Sequence, residues 1–248
     1  MKKLLLAIAA LTAAAVSAQD RAVWEPEPEL VNAPANGAPP SDAIVLFDGT
    51  NLDQWMRIED GEPARWEIAD GVATVTPGVG SIRTRESFGS MQLHLEWRPT
   101  DVISGSGQSR GNSGVFLHGL FEVQILDSWE NPTYVNGQAG SVYLQSPPLV
   151  NAARRPGEWQ SYDIVFTAPV FEQGELVSPA YVTVFHNGVL VQNNVRLAGA
   201  TFTPEPVYET RCAPYPSEQM QDCTGKMPLS LQDHGQVVSF RNIWLREL

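Results

Sequence analysis

Basic residues are scarce in this chain of 248 residues. Lys and Arg together number 16 against 28 Asp and Glu, so the formal net charge is -12 at pH 7. No cluster of Lys or Arg offsets the negative charge locally. Because nucleic acids and anionic membrane surfaces bind basic patches, we expect neither to be a partner of this chain.

Cysteine is also scarce, since only Cys212 and Cys223 are present. They lie close together in a stretch rich in Pro, Gly and polar residues. In an oxidising compartment this spacing predicts a short disulfide that pins a loop. The alternative is a metal site, but no His lies near the pair and the spacing matches no common zinc pattern.

Long apolar runs are missing except at the N-terminus. Lys2 and Lys3 precede an apolar run over 4–15, and small residues follow at 16–18. These three features are typical of a secretory signal peptide. The run is too short to cross a membrane core, which needs about 20 residues, and no later segment is apolar enough to do so. We therefore expect a signal peptide over 1–18 and a mature protein in the periplasm or outside the cell.

The remaining chain divides into a tail and one domain. Residues 19–40 include an alternating Glu/Pro run over 25–29 and bury few apolar groups, so they predict a flexible, extended tail. From 41 to 248 short runs of Val, Ile, Leu and aromatic residues alternate with Gly, Pro, Asn and Asp. This alternation of short apolar runs with turn-forming residues predicts a single domain made of short β-strands.

Two kinds of local pattern indicate antiparallel strands. Apolar and polar residues alternate from Met91 to Arg98, as in a strand with one buried face. Asp70-Gly71 and Asn187-Gly188 are typical of tight hairpin turns. No long stretch keeps a helical period, so we predict an all-β sandwich of two antiparallel sheets with few short helices.

The segment around Glu122 is the most informative for chemistry. In the run 121–125, Glu122 and Gln124 fall on one face and the apolar residues fall on the other. Asp127 falls opposite them under strict alternation, unless a β-bulge after Gln124 brings it round. With that bulge, Glu122 and Asp127 are two carboxylates on one concave surface. A separation of about 5 Å between them permits a nucleophile and an acid, and a wider separation admits a water. The alternative is that these polar residues are simply solvated on a half-exposed strand.

A second polar segment lies near the C-terminus. Leu229 and Leu231 are expected to face inward, which places Ser230, Gln232 and His234 together on the open face. A histidine there can act as a base or as a metal ligand, although an exposed histidine at a strand end is more often a passive hydrogen-bonding group. Arg241 is a candidate charge partner or a surface ion-pair member. Tyr143 is a candidate ring for stacking on a sugar, with a core or rim role as the alternative.

Several segments together resemble a known family, the 3-keto-disaccharide hydrolase domain family of the concanavalin A-like lectin/glucanase superfamily. They follow one another in order through almost the whole mature domain, and this is more specific than any one of them. The matching segments are 46–50 with Leu52 and Trp55, 111–117, 121–127, 156–160, and 231–235 with 240–243.

The resemblance implies a concanavalin A-like jelly-roll sandwich, bacterial export, and cleavage of glycosides whose sugar carries a ketone at carbon 3. That ketone acidifies the proton on carbon 2, so a base can remove it and the glycosidic oxygen can leave. The reaction needs a base and an electrophile, which is either a divalent metal ion or a hydrogen-bond donor. The segment 201–226 is longer than the family pattern and is either a lid or a surface loop.

The resemblance and the strand patterns together give the expected site. The expected catalytic residues, which are also the candidate metal ligands, are Glu122, Asp127 and His234. The expected substrate-binding residues are Asn112, Gln124, Tyr143, Gln232 and Arg241. The competing hypotheses are a non-catalytic, lectin-like module that binds carbohydrate and a structural domain of the cell envelope. The oligomeric state is left open.

Overall fold

The structure is a computed structural model that describes residues 23–32, 37–201, 205–208 and 225–248. The predicted signal peptide over 1–18 and both cysteines of the predicted disulfide lie outside these residues. Within the described ranges no helix is both long enough and apolar enough to cross a membrane.

The domain is built from short strands that follow one another through the chain. In order, they are β1 (Ile44–Phe47), β2 (Trp55–Arg57), β3 (Glu67–Ala69), β4 (Val72–Thr74), β5 (Ile82–Thr84), β6 (Met91–Pro99), β7 (Ser113–Leu117), β8 (Phe121–Ile125), β9 (Gln160–Thr167), β10 (Val170–Glu172), β11 (Glu175–Ser178), β12 (Tyr181–His186), β13 (Val189–Arg196), β14 (Ser230–Leu231) and β15 (Val238–Glu247). Short 3-10 helices occur at Gly107–Ser109 and Val135–Gly137.

Two large antiparallel sheets form the sandwich. The eight-stranded sheet has the order β13-β12-β9-β6-β15-β4-β3, with β1 also paired to β15. The five-stranded sheet has the order β2-β5-β14-β7-β8, and β10 and β11 form a separate hairpin. This architecture confirms the predicted all-β, jelly-roll class with few short helices.

The hydrophobic core lies between the two large sheets. From the eight-stranded sheet, β6 contributes Met91, Leu93, Leu95 and Trp97, all fully buried, which confirms the predicted alternation along this strand. From the five-stranded sheet, the core receives Val115, Leu117, Phe121, Val123 and Ile125. Each such side chain stabilises the fold by roughly 1.5–3 kcal/mol through burial. The residues between them on β7 and β8 therefore point away from the core.

Tight turns join three of the hairpins. Asp70-Gly71 and Asn187-Gly188 have positive φ at both positions, as the predicted two-residue turns require. His118 (φ 53°) and Gly119 (φ 64°) make the corresponding turn between β7 and β8. The His118 ring packs edge-on against Phe166, and burial lowers its pKa to about 4, so this histidine is neutral and part of the core.

Candidate active site

Four side chains form a row on the face of the five-stranded sheet that points away from the core, which we call the outer face. Glu122 on β8 pairs with Phe116 on β7, and Phe116 pairs in turn with Ser230 on β14. Ser230 also pairs with Arg83 on β5, so the row crosses four neighbouring strands. The strand order thus brings together residues that lie far apart in the sequence.

A second row lies beside the first and has a gap in its middle. Gln124 pairs with Gly114, whose carbonyl accepts a hydrogen bond from the backbone N–H of Gln232 at 3.0 Å. A Cβ atom on Gly114 would lie 2.5 Å from Oε1 of Glu122 and 2.8 Å from the ring of Phe116. The carboxyl group of Glu122 therefore occupies the space that the missing side chain leaves open.

We expect Gly114→Ala to displace the Glu122 carboxyl group. Since the added methyl group overlaps that carboxyl and the Phe116 ring, overpacking should cost about 1–3 kcal/mol of folding free energy. Urea unfolding measures the cost, and Gly89→Ala is the matched control because a Cβ there meets only Lys226, at an ordinary 3.8 Å. Equal stability of the two variants would contradict this close approach.

The Glu122 carboxyl group is buried with only one of its oxygens hydrogen-bonded. The side chain is 2 % exposed. With the Gln124 amide oriented to satisfy its hydrogen bonds, its nitrogen donates to Oε1 of Glu122 at 3.0 Å and to the Ser113 carbonyl at 3.1 Å. Among the residues that the structure describes, Oε2 of Glu122 has no partner. An unpaired buried carboxyl destabilises a fold, so its presence indicates a functional role.

Burial also sets the proton affinity of Glu122. Loss of hydration disfavours the charged form and raises the pKa of this carboxyl to about 8. Its carboxylate form is therefore a stronger base than an ordinary carboxylate, and the carboxyl group keeps its proton until the pH approaches 8. A general base works best when its pKa lies near the working pH, and Glu122 meets that condition.

Two tyrosines lie at the rim of the Glu122 position. The backbone N–H of Tyr143 donates to the carbonyl of Glu122 at 3.1 Å, and the hydroxyls of Tyr143 and Tyr134 lie 2.5 Å apart. Burial, the hydrogen bond and charge of Tyr143, and the charge of Glu122 raise the pKa of Tyr134 above its usual range. Tyr134 is 43 % exposed. The Tyr134 hydroxyl therefore stays protonated, and it contacts the Tyr143 hydroxyl.

Asp127 is engaged elsewhere. Strict alternation ends with β8 at Ile125, because Ile125 and the next residue, Leu126, are both in the core. The Asp127 carboxylate nevertheless accepts a hydrogen bond from Nε of Arg110 at 2.6 Å and one from the backbone N–H of Trp129 at 3.2 Å. The structure thus joins Asp127 to Arg110 in a buried ion pair and does not pair it with Glu122.

Asp127→Asn should therefore act on stability. Removing one charge from a buried ion pair leaves the other uncompensated, and we expect a loss of about 3 kcal/mol in urea unfolding. Arg246→Met is the matched control, since it breaks an ion pair with Asp42 that is about one-third exposed and screened by water, so its loss should change stability far less. Full stability of Asp127→Asn together with lost activity would instead assign this residue to the chemistry.

Comparison with known proteins identifies the family to which this site belongs. The model of the 3-keto-alpha-glucoside-1,2-lyase-like domain matches residues 42–246. The chain belongs to this family. This membership confirms the resemblance that the ordered sequence segments indicate.

Individual relatives of this family member are found by sequence and by structure. A 3-keto-disaccharide hydrolase of Bacteroides thetaiotaomicron is 24 % identical over 243 residues, which cover 83 % of this chain and 78 % of that protein. A crystal structure from Parabacteroides distasonis, provisionally assigned as a glycosyl hydrolase, is 43 % identical with a TM-score of 0.83 over 96 % of this chain and 99 % of that one. A second such structure from that organism, 21 % identical with a TM-score of 0.57, covers 84 % of this chain and 94 % of that one and shares the fold.

Three of the residues expected at the site make no contact with the Glu122 carboxyl among the described residues. His234 is exposed in the turn that follows β14. The Asn112 side chain donates to the carbonyl of Gln108 at 2.8 Å and so ties two backbone segments together. Arg241 lies on the eight-stranded sheet, where it forms an ion pair with Glu96 at 2.6 Å. The structure does not bring these three side chains to the Glu122 carboxyl.

A divalent metal ion does not fit the described residues of this family member. In the described ranges no group of three or more His, Cys, Asp and Glu side chains is close enough to hold a metal. The expected ligands Glu122, Asp127 and His234 are respectively hydrogen-bonded to Gln124, paired with Arg110 and exposed in a turn. We therefore derive no reaction step through a metal.

Proposed function

We propose that this chain is an exported enzyme that cleaves glycosides whose sugar carries a ketone at carbon 3, with Glu122 as the base. The buried carboxyl of Glu122 carries this proposal, because its pKa is raised and its Oε2 has no hydrogen-bond partner among the described residues. Membership of the 3-keto-alpha-glucoside-1,2-lyase-like family and the name of the Bacteroides relative support a carbohydrate-active, glycosidase-like activity.

The proposed reaction begins with a proton transfer. Oε2 of Glu122 takes the proton from carbon 2, and the electron pair of that C–H bond moves toward the ketone oxygen as an enolate. As the ketone re-forms, the bond between carbon 1 and the glycosidic oxygen breaks, and the leaving oxygen takes the bonding pair and a proton from water. The hydroxide so formed adds to carbon 1 of the resulting double bond, and carbon 2 takes its proton back from Glu122, which completes a net hydrolysis and regenerates the base.

Neighbouring side chains give this base its orientation and its electrophile. The Gln124 amide holds Oε1 and so leaves Oε2 as the reactive oxygen. The hydroxyls of Tyr134 and Tyr143 are hydrogen-bond donors that can stabilise the negative charge on the ketone oxygen. Because Glu122 is almost fully covered, the substrate must displace part of that cover to reach it.

The test is product release from a panel of 3-keto glycosides and their unoxidised parents by the purified mature chain. We expect release from the keto compounds alone, because the parents lack an acidic proton on carbon 2. Release that survives a chelator assigns the electrophile to protein donors, and release that needs an added divalent metal assigns it to a metal. Binding of these glycosides without any release would support the lectin-like module instead.

Export is the part of the proposal that rests on the sequence alone. The N-terminal pattern over 1–18 supports removal of a signal peptide, and the two cysteines support a disulfide formed after export. The intact mass of protein recovered from the periplasm or medium tests both points. It should correspond to a chain that begins near Gln19 and whose cysteines resist alkylation until they are reduced.

A further inference from the structure

The Gln124 amide lies between a carboxyl group and a second amide. One end of this amide lies 3.0 Å from Oε1 of Glu122 and 3.1 Å from the Ser113 carbonyl oxygen. The other end lies 2.9 Å from Oε1 of Gln108. Gln124 is 1 % exposed, so these neighbours must satisfy its hydrogen bonds. Because an amide has its donor at one end and its acceptor at the other, the two ends cannot both donate.

The orientation of the Gln108 amide is fixed by its other neighbours. Its Nε2 donates to the Gly137 carbonyl oxygen at 2.9 Å and to the Thr133 hydroxyl at 3.2 Å. A carbonyl oxygen only accepts hydrogen bonds, so the nitrogen of Gln108 must face Gly137. The oxygen of Gln108 therefore faces Gln124, and it also lies 3.4 Å from Nδ2 of Asn112.

Each orientation of the Gln124 amide leaves its oxygen facing another oxygen. When its nitrogen donates to Glu122 and Ser113, its oxygen lies 2.9 Å from the Gln108 oxygen. When its nitrogen donates to Gln108 instead, its oxygen lies 3.1 Å from the Ser113 carbonyl oxygen and 3.0 Å from Oε1 of Glu122. The contact with Glu122 is then a hydrogen bond only if Oε1 carries a proton. The proton on Glu122 therefore decides which orientation is the more stable.

We propose that the Gln124 amide reverses when Glu122 loses its proton, and that Gln108 is a positioning residue that favours the protonated form. In that form Oε1 of Glu122 donates to the Gln124 oxygen, and the Gln124 nitrogen donates to Gln108. In the carboxylate form the Gln124 nitrogen donates to Glu122, and the proton has passed to solvent water. The inference rests on the proposed function for the role of Glu122 as base and deepens it, because the reversal converts the resting acid into that base.

The reversal precedes turnover and is not repeated within it. Once Oε1 of Glu122 accepts from Gln124, Oε2 is the oxygen that takes the proton from carbon 2 and returns it. The Gln124 amide therefore keeps its donor orientation until the carboxylate is protonated again from solvent.

Burial remains the main cause of the raised pKa of Glu122, and the Gln108 oxygen adds to it by stabilising the neutral form. The titratable side chains on the neighbouring elements are Tyr134 and Tyr143 at the rim, Arg83 three strands away in the same row, and the paired Arg110 and Asp127. They are unaltered in the test below, so a change at residue 108 is measured against a constant background.

The experiment follows the Glu122 carboxyl by ¹³C NMR in protein labelled at the carboxyl carbons of its glutamates. The signal that Glu122→Gln lacks belongs to Glu122, and in the unaltered protein it should titrate at about pH 8. Gln108→Met removes the acceptor oxygen, and we expect it to lower this midpoint by about one pH unit, as the loss of one hydrogen bond predicts. Gln138→Met is the matched control and should leave the midpoint unchanged, because the Gln138 side chain donates to the Asn131 carbonyl. Thermal melting confirms that each variant is folded.

Further measurements distinguish this role from a purely structural one. In the unaltered protein the side-chain ¹⁵N signal of Gln124 should shift with the same midpoint as Glu122, and this needs no variant at residue 108. In a Gln124→Met background, Gln108→Met should have no further effect on the Glu122 midpoint, because it acts through Gln124. The pH profile of kcat/KM for a 3-keto glycoside should move to lower pH by the same amount in Gln108→Met.

The outcomes for this inference and for the proposed function are distinguishable. An unchanged Glu122 midpoint in Gln108→Met, or an equal shift in the Gln124→Met background, would overturn the inference. A Gln124 signal that does not follow the Glu122 midpoint would overturn it as well. Since the NMR titrations need no substrate, a failure of the unaltered protein to cleave 3-keto glycosides would overturn the proposed function alone.

Discussion

Glu122→Gln should lower kcat for cleavage of a 3-keto glycoside by about 10²–10⁴-fold, the range expected for loss of a general base. The amide has nearly the same shape and keeps an oxygen that can accept from Gln124, but it cannot take a proton from carbon 2. KM should change little, because the lost interaction is made only in the transition state. Initial rates of product release over a range of substrate concentrations measure both constants.

The control for this variant is Glu67→Gln. Glu67 is an exposed carboxylate on β3, on the other sheet, and its replacement removes one negative charge far from the proposed site. It should leave both constants unchanged. A Glu122→Gln protein whose kcat stays within a few-fold of the unaltered value would show that this carboxyl is not the base.

Stability should fall with rising pH because of the same carboxyl. The pKa of Glu122 is about 8 in the folded protein against 4.5 for an ordinary glutamate. Between these values the unfolded chain ionises while the folded protein holds its proton, so the free energy of unfolding declines as pH rises and levels off above about 8. At about 1.4 kcal/mol for each pKa unit, the full decline amounts to about 5 kcal/mol, of which about 4 kcal/mol falls between about pH 5 and about pH 8.5.

Urea unfolding at about pH 5 and about pH 8.5 isolates this contribution when the unaltered protein is compared with Glu122→Gln. Other groups titrate alike in both proteins, so the difference between their unfolding free energies reports Glu122. That difference should move in favour of the variant by about 4 kcal/mol on going to the higher pH. A difference in unfolding free energy that stays constant from about pH 5 to about pH 8.5 would contradict a buried Glu122 carboxyl with a raised pKa.

The sequence predicts the fold class well because the relevant signals are local. The alternation from Met91 to Trp97 predicts which face of β6 is buried, and the apolar residues of that face are in the core. Asp70-Gly71 and Asn187-Gly188 adopt the positive φ values that two-residue hairpins need. Strand order is different, since pairing between β5, β14 and β7 joins distant segments and leaves no local pattern.

The site is predictable only as far as single strands allow. Alternation correctly places Glu122 and Gln124 on one face. The contact between Asp127 and Arg110 instead forms between the segment before β7 and the segment after β8, where no strand alternation applies. Arg241 shows the complementary difficulty, because alternation on one strand does not say to which sheet the strand belongs. The row that joins Ser230 to Glu122 appears only once the strand order is known.

The most direct test of the proposed site is a crystal structure of Glu122→Gln with an uncleaved 3-keto disaccharide bound. We expect the sugar on the outer face of the five-stranded sheet, with carbon 2 of the oxidised ring about 3–3.5 Å from the side chain of residue 122. A sugar bound at the exposed His234 turn, or on the eight-stranded sheet near Arg241, would contradict it.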